Sequence, residues 1–399
     1  MEYNTVQIEI AVPVSEEGSV FDVGSLYDRL GQLSDGRKAR GKRYELAMVL
    51  LVVVLAKLSG EDCPTGIAEW GRGREAILCE ILPVGRSRLP SHNTYRRVLR
   101  EAVEPGELQA VVSQLLTEQP EAGQSVLIAI DGKTLRGSIA VGETRGTHLL
   151  AAYLPQEGIV LTQVVVDGKE NEISAAPQVL KSIDLRGKIV RGDALLTQRS
   201  LSAQIVEAGG EYVWLVKDNH PQWKQDIELV FQPEACVPGF SPTPKDFRTA
   251  QTLDKGHGRL EVRTLTTSSL LKDYADWPYL EQVFKLERQV THLKDGQMHH
   301  QLVFGITSLR PDEADPHRLL KIVRDYWGIE NGLHYRRDKT LREDATRITS
   351  PPLAQTMATI NNLIVGLTLQ QGWTNLPQAR RHYDAHLQDA LSLVLRGST

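Results

Sequence analysis

Three acidic residues are spaced so that one fold could bring their side chains together. Asp131 ends the apolar run SVLIAID, and Asp193 ends the run KIVRGDA. Glu330 falls on the apolar stripe of a helical pattern, where residues three and four apart share one face. Converging carboxylates repel one another unless cations neutralise them, and an all-oxygen site suits Mg²⁺ or Mn²⁺ rather than zinc. Two such ions would activate a water or a 3′-hydroxyl and stabilise the leaving oxygen at a phosphodiester.

Each of these acids also has a simpler interpretation when it is taken alone. An aspartate at the end of a strand is common at turns and helix caps, which applies to Asp131 and Asp193. A glutamate on an apolar stripe can pair with a nearby arginine, here Arg324. The combination of three acids at positions that one topology would bring together favours the metal site.

The elements around these acids predict an α/β domain. Apolar runs and turn residues between positions 125 and 217 predict the order β-β-β-α-β-α-β. The turn residues at 155–158 predict an antiparallel hairpin between the second and third strands. This is the order of a ribonuclease-H-like core, a mixed five-stranded sheet with helices. The acids converge if the first and fourth strands are neighbours and the helix carrying Glu330 packs on their sheet.

The chain of 399 residues is too long for one ordinary domain. Helix-forming residues dominate up to a polar break near position 120. The stretch before the long helix that carries Glu330 shows the alternation of β-strands and contains Asp295-Gly296, a typical hairpin turn. The predicted parts are an N-terminal tail (1–20), a helical N-terminal region (21–120), a catalytic core (121–217 and 311–370), a β-rich insertion (218–310) and a helical C-terminal tail (371–399).

Composition narrows the class of protein. Hydrophobic residues make up 41% and charged residues 24%, as in soluble globular proteins, and the formal net charge of −4 argues against a nucleic-acid partner. The three cysteines form no CxxC pair, which argues against a disulfide framework or a zinc ribbon and favours a reducing, cytoplasmic compartment. The longest apolar run, 46–58, is too short to span a bilayer, and no phosphate-binding loop is complete. We therefore expect no membrane partner and no nucleotide cofactor.

Seven ordered segments resemble the signature blocks of the ISAs1-family insertion-sequence transposases, relatives of the IS4-like transposases with a DDE catalytic domain. The segments are AIDGKTLRGS (129–138), VVVDGKENEI (164–173), GDALLTQ (192–198), YVWLVKDNH (212–220), KGHGRLEVR (255–263), RDYWGIENGLHY (324–335) and LREDATR (341–347). The resemblance extends from about residue 21 to 369. The acids of the first, third and sixth blocks fall on Asp131, Asp193 and Glu330, whereas Tyr326 stands where the family usually has His.

The resemblance implies a DDE transposase that cuts DNA at element ends and joins 3′-hydroxyls to target DNA with two Mg²⁺ or Mn²⁺ ions. Its partners would be double-stranded DNA, from the ends and the target, and a second copy of the chain in a homodimer on paired ends. Lys169, Asn171 and Glu172 of the second block would orient the site, although Glu172 also suits a helix start.

Basic residues are the candidates for phosphate contacts, because Lys and Arg supply most of them. Near the acids these are Lys133, Arg136, Lys217, Arg324, His334 and Lys339. In the helical N-terminal region they are Arg37, Lys38, Arg40, Lys42, Arg43, Arg96, Arg97 and Arg100, the last three on a helix that Ser91 is expected to cap. For each residue alone, an exposed salt bridge or a solvated surface is the alternative.

Two other functions stay open at this point. One is a domesticated DNA-binding protein that keeps its acids but is catalytically silent. The other is a ribonuclease-H-like nuclease that cuts DNA without strand transfer.

Overall fold

A computed structural model describes residues 24–82, 84, 87–117, 126–166, 171–232, 246–273, 276–326 and 328–396 of the chain. The predicted N-terminal tail lies outside these residues. The helices are α1 (Leu26–Leu30), α2 (Leu46–Leu58), α3 (Pro64–Gly73), α4 (Glu75–Ile81), α5 (His92–Glu101), α6 (Pro105–Thr117), α7 (Glu172–Lys181), α8 (Arg199–Glu207), α9 (Pro221–Phe231), α10 (Pro316–Asp325), α11 (Pro351–Gln370), α12 (Leu376–Ala385) and α13 (Leu387–Leu395). The strands are β1 (Leu127–Thr134), β2 (His148–Leu154), β3 (Ile159–Val166), β4 (Ile189–Gly192), β5 (Glu211–Val216), β6 (Arg248–Gly256), β7 (Arg259–Ser268), β8 (Gln282–His292) and β9 (Met298–Thr307).

The chain divides into two compact units. One unit, Glu121–Arg336, contains every described strand, and the other combines Met1–Pro120 with Arg337–Thr399 and contains helices. Residues 337–370, predicted as part of the catalytic core, fall in the unit of the N-terminal helices. The reason is the packing of α11, which lies against α6, α5 and α2. Gly366 permits the close approach, because a Cβ at that position would collide with Leu116.

Helix α2 forms the centre of the helical unit. All thirteen of its residues are buried, including Lys57. Lys57 donates to Asp62 at 3.1 Å, and Arg380 of α12 donates to the same carboxylate at 2.9 Å. The apolar run 46–58 thus forms a buried core helix. Among the described helices, none is long and apolar enough to cross a membrane.

A second buried ion pair joins the segment after the strand-containing unit to α11. The guanidinium of Arg337, which is 1% exposed, donates to the Glu343 carboxylate at 2.9 to 3.1 Å and to Asn362 Oδ1 at 3.2 Å. Asn361 donates to the same carboxylate at 2.9 Å. Because both charges are buried, each depends on the other for its stability.

The strand-containing unit is built on one sheet. Within the described residues, nine strands pair in the order β3-β2-β1-β4-β5-β9-β8-β7-β6. Strand β1 is antiparallel to β2 and parallel to β4, and β4 is parallel to β5. This is the predicted ribonuclease-H-like core, with the hairpin between β2 and β3 and with the first and fourth strands as neighbours.

The β-rich insertion continues the core sheet. Strand β9 pairs antiparallel with β5, for example Val213 with Thr307, and β8, β7 and β6 follow in turn. Helix α10 packs on β6 and β7. Its apolar residues join Leu127 of β1 and Phe284 of β8 in one buried cluster. The insertion and the core strands thus share a hydrophobic core under α10.

The long helix that was predicted to carry Glu330 is shorter than predicted and changes its winding. Helix α10 ends at Asp325, and π-helical turns follow at Ile329–His334 and Arg336–Thr340. A π-helical turn adds a residue to each hydrogen-bonded loop, so the three- and four-residue spacing of the apolar stripe no longer fixes which side chains face inward.

Replacement of Glu343 by alanine tests the buried ion pair. The change leaves the Arg337 guanidinium buried and without its carboxylate, which is expected to cost about 3–5 kcal/mol of unfolding free energy. Urea unfolding followed by circular dichroism measures this loss. Asp184→Ala is the control, because it breaks an ion pair with Arg186 in which both side chains are mostly exposed. An equal effect of both changes would contradict the prediction.

Candidate functional site

Asp131 and Asp193 lie at the carboxyl ends of two neighbouring parallel strands. The pairing of β1 with β4 ends at Ile130 and Gly192, so the next residue on each strand is one of the two aspartates. Asp193 follows the end of β4, as predicted. Asp131 does not end its strand, because β1 continues to Thr134 along β2. The two aspartates therefore share the edge at which β1 and β4 separate.

Glu330 and His334 join Asp131 from the π-helical segment. One ligand atom from each of these three residues lies within 4.8 Å of the others. The His334 Nδ1 atom is 3.3 Å from Glu330 Oε2 and 3.6 Å from Asp131 Oδ2. Asp193 lies outside this group. Two carboxylates and an imidazole at this spacing form a possible metal-binding group at the strand edge.

The surroundings of Asp131 disfavour its charged form. Desolvation by burial is the largest cause, and the nearby charges of Glu172, Glu330 and Asp193 act in the same direction. Together they raise the pKa of Asp131 to about 7. A carboxylate held under these conditions needs a cation to stay ionised near neutral pH, which a divalent metal ion would provide.

The exposure of Glu330 is the reverse of what the sequence predicted. Its side chain is 62% exposed, whereas Leu333 on the same turn is fully buried. The π-helical winding turns the glutamate toward Asp131 instead of into the core. Arg324 does not pair with Glu330, because its guanidinium donates to Asp254 at 3.0 Å.

Asp193 is held by two contacts at its own position. Its Oδ1 atom accepts from the Ala194 backbone N–H at 2.7 Å and from Lys217 Nζ at 3.2 Å. Asp193 and Lys217 are both about half exposed. Lys217, a candidate for phosphate contact, thus lies beside an acid of the site.

A second acid–histidine pair lies beside β1. Glu172 Oε1 and His148 Nε2 are 2.9 Å apart, and His148 Nδ1 is 2.8 Å from Thr134 Oγ1. Gly132, which follows Asp131, has no room for a side chain here, because a Cβ would collide with both Glu172 and His148. Glu172 is also the first residue of α7 behind the Asn171 cap, so the two interpretations of this residue are compatible. Lys169 lies outside the described residues.

The other basic candidates near the acids differ in their surroundings. Lys133 is half-buried on β1 and Arg136 is exposed just beyond it. His334, a candidate for phosphate contact, is buried, with only 5% of it exposed. Lys339 is exposed but belongs to the helical unit, whereas the acids belong to the other unit.

In the helical unit, most predicted basic candidates are exposed. Arg37 is the exception, because it is bound to Asp35 at 2.7 Å and to the Tyr44 carbonyl at 2.8 Å. Ser91 occupies the N-cap position of α5, but its side chain makes no capping hydrogen bond there, contrary to the prediction. The exposed candidates are Lys38, Arg40, Lys42, Arg43, Arg96, Arg97 and Arg100.

Two residues beside the acids, Arg191 and Tyr326, were not predicted to belong to the site. Arg191 is 1% exposed on β4, and its guanidinium lies 4.8 Å from the centre of the Tyr326 ring. The Tyr326 hydroxyl donates to the Ile130 carbonyl at 3.4 Å, directly before Asp131. Burial lowers the pKa of Arg191 to about 10. The sequence did contain a signal for Arg191, because it is a charged residue within the apolar run KIVRGDA.

The fold and the acids define a ribonuclease-H-like protein with a possible metal-binding edge, and comparison with known proteins gives the family. Residues 27–116 match the family model described as DDE_Tnp_1-associated, and residues 122–367, more than half of the chain, match the Transposase DDE domain. The chain therefore belongs to the family of transposases with a DDE domain. The resemblance to DDE transposases is confirmed, and membership of the ISAs1 subgroup stays a prediction.

The chain is also similar to individual proteins. The "Putative transposase YncI" of Escherichia coli O157:H7 is 26% identical over 350 residues, which cover 86% of this chain and 87% of that protein. An uncharacterized protein in the dhlA 3′ region of Xanthobacter autotrophicus is 33% identical over 261 residues, 64% of this chain and 85% of that protein. A piggyBac transposase synaptic complex with hairpin DNA aligns with 92% of this chain and 77% of that chain, with a TM-score of 0.42 and 10% identity.

The raised pKa of Asp131 predicts a pH-dependent cost to stability. A pKa of about 7 in the folded chain against 3.8 in the unfolded chain means that stability falls as pH rises through this window. Asp131→Asn removes the cost, so at pH 8 the variant is expected to be more stable than the wild type by at least about 1 kcal/mol. Near pH 4 most of the difference disappears.

Thermal melts with EDTA at both pH values measure this effect. Asp312→Asn, at an exposed position of the same unit, is the control. A pH-independent effect of Asp131→Asn would show that the charge of Asp131 is not destabilising.

Proposed function

We propose that this transposase cuts DNA at the ends of its element and joins the 3′-hydroxyls to target DNA at the edge formed by Asp131, Asp193 and Glu330. The observation that carries the proposal is the burial of Asp131 beside other carboxylates. Such an arrangement opposes folding unless a cation binds there. Membership of the DDE family supports the same chemistry.

The three acids are the proposed ligands of two divalent ions, Mg²⁺ or Mn²⁺. Carboxylate oxygens are the ligands that these ions prefer. When bound, the ions supply Lewis acidity that activates a water or a 3′-hydroxyl and stabilises the leaving oxygen. Asp131 is fixed by the pairing of β1 with β2, whereas Asp193 and Glu330 are more exposed and can adjust to substrate.

His334 is proposed as a positioning residue. Its Nδ1 atom lies between Glu330 and Asp131, and the buried imidazole is well placed to hold the exposed glutamate toward the aspartate. Lys217 has a related role at Asp193, and it can turn to a DNA phosphate once a metal ion replaces it.

DNA contacts are proposed for both units. Lys133 and Arg136 are suited to phosphates beside the acids, and Lys339 to a phosphate on the helical unit. The exposed arginines of α5 and the exposed cluster Lys38, Arg40, Lys42 and Arg43 are proposed to bind the element end. Because an element has two ends and each needs its own acids, we also propose a homodimer on paired ends.

Asp193→Ala tests the catalytic assignment. The variant is expected to lose roughly 10³-fold in metal-dependent cleavage of element-end DNA, equivalent to about 4 kcal/mol of transition-state stabilisation. Binding of the ends is expected to persist. Labelled end fragments and a target plasmid with Mn²⁺ report cutting and joining separately, and Asp184→Ala is the matched exposed control.

The products distinguish the proposed function from its alternatives. Cleaved ends joined to the plasmid support a transposase that performs strand transfer. Cleavage without joined product would identify a nuclease, and binding without cleavage by the wild type would identify a silent DNA-binding protein. Full cleavage by Asp193→Ala would refute the metal-ligand assignment.

The arginines of α5 give a separate prediction for binding. Replacement of both Arg96 and Arg97 by alanine is expected to weaken binding of end DNA and to reduce the slope of log K against log salt by about 2, about 1 for each phosphate contact. Fluorescence anisotropy over a salt series measures the slope. Arg381→Ala, an exposed arginine on α12 of the same unit, is the control. An unchanged slope would exclude phosphate contacts from this face.

A further inference from the structure

A cavity of about 670 Å³ lies in the strand-containing unit, between α10 and the sheet. This volume is within the range of ligand pockets, about 300–1,000 Å³. Its walls come from core strands β4 and β5, from insertion strands β7, β8 and β9, and from α10. The cavity therefore exists because the insertion continues the core sheet.

Six cationic side chains line this cavity. They are Arg191, Lys217, Arg259, Arg263, Arg288 and Arg324. The register explains the concentration of charge, because Arg259 and Arg263 on β7 and Arg288 on β8 share one face of the sheet. A strand face that is buried under a helix, as this one is under α10, ordinarily carries apolar residues.

The acids around the cavity do not balance these cations. Glu261 pairs with Arg263 at 2.7 Å and also with Arg288. Asp254 pairs with Arg263 at 2.7 Å and with Arg324 at 3.0 Å. Two carboxylates thus serve three arginines. The carboxylate that lines the cavity itself, Asp325, accepts a hydrogen bond from Gln156 at 3.3 Å. Among the described residues, no carboxylate lies within ion-pair distance of Arg259 or Arg191, and only the longer-range charges of Glu261 and Asp193 act on them.

Arg191 is the least satisfied of these cations. It is 1% exposed, and its Nε and Nη1 atoms are buried without a hydrogen-bond partner among the described residues. Burying a guanidinium whose donors are not all used is costly, because charged groups need partners in a low-dielectric interior. The side chain lines the cavity, so an anion bound there can supply the missing acceptors.

The cavity adjoins the candidate catalytic edge. Arg191 precedes Asp193 by two residues on β4, and Lys217 both lines the cavity and donates to Asp193. Tyr326 connects the Arg191 guanidinium to the Ile130 carbonyl beside Asp131. An anion in the cavity would therefore lie close to a phosphodiester at the acids.

We propose that this cavity binds a nucleotide of the DNA strand that enters the catalytic edge, with its backbone phosphate on Arg191 and Arg259. This inference deepens the proposed function and rests on it, because it names a binding subsite for the same DNA. The phosphate supplies the acceptors that the buried guanidinium lacks.

The remaining walls favour a nucleotide over a free anion. Five apolar side chains, Leu215, Leu286, Val303, Leu320 and Val323, form much of the rest of the lining, beside the polar residues Gln156, Gln301 and Asp325. A cavity for inorganic phosphate would need only the cations, whereas a sugar and a base offer apolar surface to these residues. The volume also exceeds what one phosphate group fills.

The test is a titration of the full chain with the dinucleotide TpT in EDTA, followed by ligand-observed NMR. The wild type is expected to bind TpT at least tenfold more tightly than inorganic phosphate or thymidine. Arg259→Gln and Arg191→Lys are each expected to weaken TpT binding about tenfold, because each disrupts charge-assisted hydrogen bonds to the phosphate. Lys255→Gln, an exposed cation on the neighbouring strand β6 and outside the cavity lining, is expected to change nothing.

Thermal melts accompany the titration to check that the variants fold. Arg259 is half-buried and forms no ion pair among the described residues, so Arg259→Gln keeps the test valid if Arg191→Lys unfolds. Wild-type affinity in Arg259→Gln would overturn the proposal, as would equal binding of inorganic phosphate and TpT. The titration needs neither metal nor cleavage, so it can fail in a chain that cleaves DNA and succeed in one that does not.

Discussion

The repulsion between Asp131 and its neighbouring carboxylates is the interaction on which the rest of this structure depends. Burial and three nearby acids raise the pKa of Asp131 to about 7, so the folded chain holds the ionised site at a cost. The parallel pairing of β1 with β4 opposes this repulsion, because its backbone hydrogen bonds fix both aspartates at one edge. A fold that tolerates such a cost without a cation is suited to bind one.

The basic groups beside the acids limit this cost. His334 contacts both Asp131 and Glu330, Lys217 contacts Asp193, and His148 contacts Glu172. The π-helical turn after α10 belongs to the same arrangement, because it brings an exposed glutamate and a buried histidine to the strand edge from one short segment. The acids are thus positioned by the sheet on one side and by an irregular helix on the other.

The continuous sheet explains how an acidic chain can offer a basic surface to DNA. The net charge of −4 averages over the whole sequence. Pairing of β5 with β9 brings arginines of the insertion to the same face as Arg191 of the core. Local charge at a cavity is set by which strands are neighbours, and overall composition does not contain that information.

Local sequence patterns were sufficient for the order of the core elements, for the hairpins, and for the placement of Asp131 and Asp193 at neighbouring strands, because periodicity and turn residues act over a few neighbouring positions. The family blocks also identified a DDE transposase. Local patterns could not predict three other features. These are the exposure of Glu330, the buried position of His334 and the grouping of residues 337–370 with the N-terminal helices. They depend on a change of helical winding and on packing between segments far apart in the chain. The same holds for the cavity around Arg191, which arises from strands up to about a hundred residues apart.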